Sequence, residues 1–136
     1  MKVSIFSFAF GALLSLSFQT SAGDISNAKK LICAPVTAVE CGVGGGCDIG
    51  TAESINFPQF IRIDLDQRLA LGEAADGKKR TSKIMNVVDG EDSLILQGAQ
   101  LGRGWSAVIN KATGKFVVTT SGADFAFVVF GSCTAN

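Results

Sequence analysis

The chain has 136 residues, with 12 Lys and Arg against 12 Asp and Glu, and contains neither His nor Tyr. Balanced charge leaves no basic excess to hold phosphate backbones, so nucleic acid is not an expected partner. Without His, the Ser-His-Asp and Cys-His nucleophilic sites and His-bearing zinc sites are excluded, and the side chain best suited to moving protons near neutrality is missing.

Met1 and Lys2 begin a short positive region, Ile5 to Phe18 is almost wholly apolar or small, and Thr20-Ser21-Ala22-Gly23 offers small residues for cleavage. This three-part order predicts a secretory signal peptide over residues 1–23, since about 14 apolar residues are too few to span a bilayer. Residues 24–136 then make a single domain of ordinary size. Lys2 is the one charge of the leader, which leaves 11 basic and 12 acidic residues and a mature charge of −1. No second long apolar run comes after it, so no membrane span is expected in the mature chain. No Cys adjoins the cleavage region to take a lipid. The expected location is periplasmic or secreted, where thiols oxidise.

The mature chain reads as short β-type runs separated by turn chemistry, with no helical period. Leu31 to Glu40 is apolar and β-branched, the first expected strand. Cys41 to Cys47 encloses four glycines and is expected to be a flexible loop. Thr51 is placed to cap one short helical turn through Ser54, and Pro58 then punctuates the chain. Phe60 to Leu65 alternates, with Ile61, Ile63 and Leu65 on one face. A turn at Asp66-Gln67 leads to Arg68–Leu71, and Asp76-Gly77 leads to Thr81–Val88. Asp89-Gly90 is a strong hairpin signal before Ser93–Gln97. Trp105–Ile109, Phe116–Thr120 and Phe125–Phe130 complete the set, with Gly114 suited to a left-handed turn position. About eight strands joined by short connections predict an antiparallel meander, because such connections cannot cross over to make parallel pairs. The expected fold is all-β: a small up-and-down, calycin-like barrel, with a two-sheet β-sandwich as the alternative.

Four cysteines allow three pairings. The preferred one joins Cys41 to Cys47 as a local clasp and Cys33 to Cys133 across the first and last strands, which are neighbours in a closed meander. Pairing of Cys33 with Cys41 or Cys47 remains open. A redox or metal role is disfavoured, because the Cys41–Cys47 gap is not that of a thiol oxidoreductase and four thiolates are unusual in an oxidising compartment.

Gly102-Arg103-Gly104-Trp105 is the most distinctive local string. Arg103 and Trp105 are types favoured as binding anchors. The competing structural reading makes Trp105 a core plug and lets the glycines relieve crowding at a bent strand. Gly44-Gly45-Gly46 is not a phosphate loop, lacking the following Lys-Ser/Thr. Asp64 and Asp66 share a strand face and invite a paired-carboxylate reading, against a solvated face entering a turn. Lys78-Lys79-Arg80 beside Asp76 reads as an exposed loop with the chemistry to touch an acidic partner. Phe125, Phe127 and Val129 oppose Ala126, Val128 and Phe130. A strand apolar on both faces is expected to be buried, or to give one face to a ligand.

The strings Leu94-Ile95-Leu96-Gln97-Gly98, Gly102-Arg103-Gly104-Trp105-Ser106 and Phe127 to Cys133 resemble those of small exported bacterial proteins. So does the segment from Cys33 to Phe60, with Cys47-Asp48 and Phe57-Pro58. That likeness covers nearly all of residues 24–136 and implies a bacterial, periplasmic, disulfide-bonded β domain, but no established activity and no catalytic residue. A weaker likeness is to bacterial lysozyme-inhibitor β-barrels. Ser121-Gly122-Ala123-Asp124-Phe125 is similar to their Ser-Gly loop, although the aromatic hydroxyl and a following Trp-Lys-Gly string are absent here. The expected function is a non-catalytic binding or interaction module of the cell envelope, whose partner is a protein or a small ligand. The alternatives are a lysozyme inhibitor and a small apolar-ligand carrier, which needs a barrel cavity. An enzyme is not expected; a carboxylate glycan hydrolase would need two acidic groups facing one cleft. No catalytic, cofactor-binding or metal-binding residue is assigned.

Overall fold

A computed structural model describes residues 23–136. Apart from Gly23, the predicted leader lies outside the described residues. Nine strands run in order: β1 (Lys30–Gly42), β2 (Cys47–Thr51), β3 (Ile61–Asp64), β4 (Leu69–Glu73), β5 (Lys79–Asp89), β6 (Ser93–Gln100), β7 (Arg103–Asn110), β8 (Lys115–Ser121) and β9 (Phe125–Ala135). Every pairing is antiparallel.

The thirteen-residue β1 decides the architecture. One of its edges pairs with β9 from Leu31 to Gly42. The other is divided: Lys30–Cys33 takes β3, and Thr37–Cys41 takes β2. The ring β1-β3-β4-β5-β6-β7-β8-β9 therefore closes as an eight-stranded barrel, with β2 an added flap on β1. Closure removes the free edges that a sandwich of this length would have to protect. The eight predicted strands are the eight staves. β2 falls where the sequence predicts no strand, on the far side of the glycine loop. Its only large apolar residue, Ile49, is exposed, so it has no inward alternation to betray it. Its register is set by pairing, with Cys41 opposite Cys47.

A break in register between Pro35 and Thr37 inserts Val36 as an extra, exposed residue. Pro35 has no N–H to give a ladder, which makes this a favourable place for a bulge. The bulge changes parity, so that Cys33 below it and Ala38 above it both point into the barrel and are buried. A second bulge at Met85 does the same for β5. Elsewhere strict alternation holds. On β9, Val129 and Cys133 are buried and Phe125 and Phe127 partly so, whereas Ala126 and Phe130 are exposed. The expectation that this strand is buried on both faces is thus corrected: a single-walled barrel has one apolar interior, and the opposite face of β9 looks outward.

The two ends of the barrel are finished differently. At the lower end, residues 23–29 fold across the opening: Ile25 is buried and its N–H donates to the Lys111 carbonyl at 2.9 Å. Leu65 N–H donates to Lys29 O at 2.9 Å and Asn136 N–H to Lys30 O at 3.0 Å, which fastens the rim. At the upper end a single 3-10 turn, Glu53–Ile55, carries the chain from β2 over the mouth toward β3. The N-cap position falls on Ala52, which has no capping side chain, one residue beyond the expected Thr51; Thr51 Oγ1 nonetheless accepts from Ser54 N–H at 3.2 Å. Ala52 and Pro58 are buried where this strap touches the wall. Among the described residues, no helix is long and apolar enough to cross a membrane.

Candidate ligand cavity and its rim

Inside the upper half of the barrel the inward side chains leave a cavity of about 140 Å³. The empty space arises from residue size. Ala70 and Gly72 on β4, Gly98 on β6 and Ala107 on β7 all fall at inward positions, and Ala70, Gly72 and Ala107 are among the lining residues. In the lower half the equivalent positions are Leu31, Ile84, Leu94, Ile109 and Phe116, all buried, and they fill the interior. The cavity wall is mainly apolar, with Phe57, Leu96, Val118 and Phe127 prominent. No Asp or Glu lines it.

Trp105 forms one wall. It lies opposite Gly98 across the β6–β7 ladder, and its indole runs over that glycine to reach β5. Nε1 there donates to Ser82 Oγ at 2.8 Å. A Cβ on Gly98 would collide with the indole ring, so this approach needs glycine. Ser82 is the one buried polar residue among those described, and the indole satisfies it. The two readings of Trp105 therefore merge: it plugs the side of the core and also faces the cavity. The glycines around it act otherwise than predicted. Gly104 has open space where a Cβ would stand, and Gly102 makes the β6–β7 turn with φ of 74°. It is Gly98, on the neighbouring strand, that relieves the crowding.

Arg103 is the next inward position toward the mouth. Its guanidinium lies over the Phe125 ring, 4.9 Å from the centroid, and that ring packs on Phe127 with centroids 4.9 Å apart. The cation is thus held against an aromatic face across β8, an arrangement that is attractive and keeps the charge at the rim. Arg80 also lines the opening. The sequence predicts it in an exposed loop with Lys78 and Lys79, and the structure corrects this. The turn is held by its own groups and by the strap: Asp76 accepts Lys78 N–H at 3.0 Å and Asn56 Nδ2–H at 3.3 Å, and ion-pairs with Lys78 at 3.4 Å. Arg80 lies beyond it, already in β5. The missed signal is parity: Ser82 and Ile84 face inward, so two residues earlier Arg80 does too. Gln100, between the two arginines, donates from Nε2 to Thr81 O at 2.9 Å and ties the end of β6 to β5.

The remaining sequence candidates separate from this site. The preferred disulfides are both present, Cys33–Cys133 and Cys41–Cys47, each joining direct cross-strand partners of β1. Cys33 touches the cavity wall only as an oxidised, buried sulfur. Asp64 sits at the lower rim, ion-paired to Lys30 at 3.4 Å. The Gln67 backbone N–H, 2.9 Å away, is the first cause holding its carboxyl below the usual range, with Lys30 adding to it. Asp66 lies in the adjoining turn, so the two form a turn rather than a cleft. Ser121–Phe125 makes the β8–β9 turn at the mouth, where Gly122 N–H donates to Phe125 O at 2.9 Å.

Comparison of the chain with models of known families, with curated proteins and with solved structures gives no match.

Proposed function

We propose that this protein is a non-catalytic binding module outside the cytoplasm that takes a small, mainly apolar molecule into the mouth of its barrel. One observation carries the reading: an apolar space of about 140 Å³, open at one end and lined by fixed aromatic and aliphatic groups, lies within a barrel that is otherwise filled. An apolar cavity of about that size, around 150 Å³, holds one benzene ring. The same number argues against a long acyl chain as cargo. Two oxidised cysteine pairs and the apolar leader read from residues 1–23 support a periplasmic or secreted setting. The likeness to small exported bacterial proteins supports it too.

The test uses the one tryptophan in the chain. Toluene titrated into the oxidised mature protein is expected to change Trp105 emission saturably and to raise the melting temperature. Ala107→Leu, which inserts a side chain into the space, is expected to abolish both responses while leaving the protein folded. A wild-type protein indifferent to toluene and to other single-ring ligands would refute the reading.

A further inference from the structure

The cavity's wall is apolar but its rim is cationic, and the arginines there lack protein partners. Among the described residues, the ion pairs are Lys30–Asp64, Lys78–Asp76 and Lys111–Asp89, and none involves Arg80 or Arg103. Neither guanidinium donates a hydrogen bond to a protein acceptor among the described residues. Arg103 is held by the face of Phe125, a contact that positions the cation without using its N–H donors. Both arginines are half-buried, unlike Lys79 and Lys83 on the outer face of the same strand as Arg80. Ser82 adds a third donor inside the mouth. Its oxygen accepts from Trp105, which leaves its own O–H free to donate. The acidic groups nearest along the chain and ladder are Asp76, ion-paired with Lys78, Glu73, paired in register with Lys79, and Asp124, which precedes Phe125. All three are exposed, and none forms an ion pair with either arginine.

We infer that the ligand of this cavity is a small aryl carboxylate, its ring lying against Trp105 and Phe127 and its carboxylate held by Arg103 and Arg80 at the rim. The inference rests on the cavity-binding reading above and adds the charge and the chemical class. Two considerations select a carboxylate. A guanidinium fork matches its planar pair of oxygens, and a charge-assisted bond of this kind is about twice as strong as a neutral one. A single ring fills a space of about 140 Å³, which leaves the ionised group at the opening, where it keeps part of its hydration and meets the two cations. Seating the ligand in the reverse sense would bury a carboxylate among Leu96, Ala107 and Val118, which is prohibitively costly. Orientation is therefore fixed by the distribution of polarity along the barrel axis.

Phenylacetate, phenylacetamide and toluene, titrated into the oxidised mature protein with Trp105 emission and calorimetry as readouts, test this. Phenylacetate is expected to bind about tenfold more tightly than its amide, the difference a charge-assisted contact supplies, and to weaken as salt is raised. Arg103→Gln and Arg80→Gln are each expected to bring the carboxylate down toward the amide while leaving toluene binding unchanged. Equal affinity for acid and amide in the wild-type protein overturns the carboxylate inference and leaves the cavity reading standing. No binding of any of the three overturns both. The wild-type comparison decides the matter even where an arginine variant fails to fold.

Discussion

The two ends of this barrel are built on the same staves and finished in opposite ways. At the lower end, Leu31, Ile84, Leu94, Ile109 and Phe116 fill the interior, and Ile25 from the segment before β1 closes it. At the upper end, Leu96, Val118 and Phe127 share the interior with the small residues Ala70, Gly72 and Ala107 and with Gln100, Arg103 and Trp105, and a strap of one 3-10 turn crosses the opening. The seam differs too, since β1 pairs with β3 only over Lys30–Cys33 and gives its upper half to β2, but what leaves space inside the upper pole is side-chain volume. A β-barrel of eight strands is just wide enough to be filled by its own side chains. Replacing large by small residues on one half of three strands is sufficient to leave room for a ring.

The largest effect expected concerns what holds the ring of strands together. Replacing Cys33 and Cys133 by Ser removes a link spanning 100 residues, which the chain-entropy model values at about 4–5 kcal/mol. Removing the Cys41–Cys47 link, which spans 6 residues, is expected to cost about 2 kcal/mol. Urea unfolding of the two double variants measures both, and equal losses would mean that β2 contributes more to the barrel than its single pairing suggests. Next comes packing. Ile84→Ala at the filled pole is expected to cost about 2–5 kcal/mol, whereas Ala107→Leu at the hollow pole should change stability by about 1 kcal/mol or less, because it occupies existing space. A similar loss for both would erase the contrast between the poles. Between those two, Gly98→Ala is expected to cost about 1–3 kcal/mol through overpacking and to shift Trp105 emission to the red as the indole is pushed off Ser82.

The smallest effect is that of acid. Asp64, Asp76 and Asp89 are all held below the ordinary carboxylate range. The Gln67 and Lys78 backbone N–H groups are the leading causes for Asp64 and Asp76, and a hydrogen bond from Lys111 is the leading cause for Asp89. A depressed folded-state value contributes stability that is present above the unfolded value of about 3.9 and is lost as pH falls through the folded one. The melting temperature is therefore expected to be flat from neutrality down to about pH 5 and to decline only below about pH 4. Asp64→Asn should reduce that acid-dependent drop, and an unchanged profile would show that the lower-rim pair with Lys30 carries no pH dependence.

Much of the fold is legible in the sequence, for identifiable reasons. Alternation of the Ile61-Arg62-Ile63 kind, the Asp89-Gly90 turn and the short connections together specify an antiparallel meander, and the Cys33–Cys133 pair marks its seam. Three things are not legible there. The exposed strand Cys47–Thr51 has no buried face, so period-two reasoning has nothing to detect. The bulges at Val36 and Met85 shift parity in the middle of a strand, and only cross-strand register reveals them. The crowded glycine is Gly98 rather than its neighbours in the Gly-Arg-Gly-Trp string, because crowding comes from the adjacent strand. For the site, Arg103 and Trp105 are legible as residue types, and the structure brings them to one opening. Arg80 is hidden by its two lysine neighbours, although its spacing from Ser82 and Ile84 already implies its direction.

The fastening of Asn136 to Lys30 sets the chain beyond β9 beside the start of β1, on the pole away from the opening. A fusion partner, surface tether or fluorescent reporter attached after Asn136 should thus emerge from the sealed face. A tether placed there holds the barrel with its hollow pole turned toward solution, a convenient geometry for immobilised binding assays.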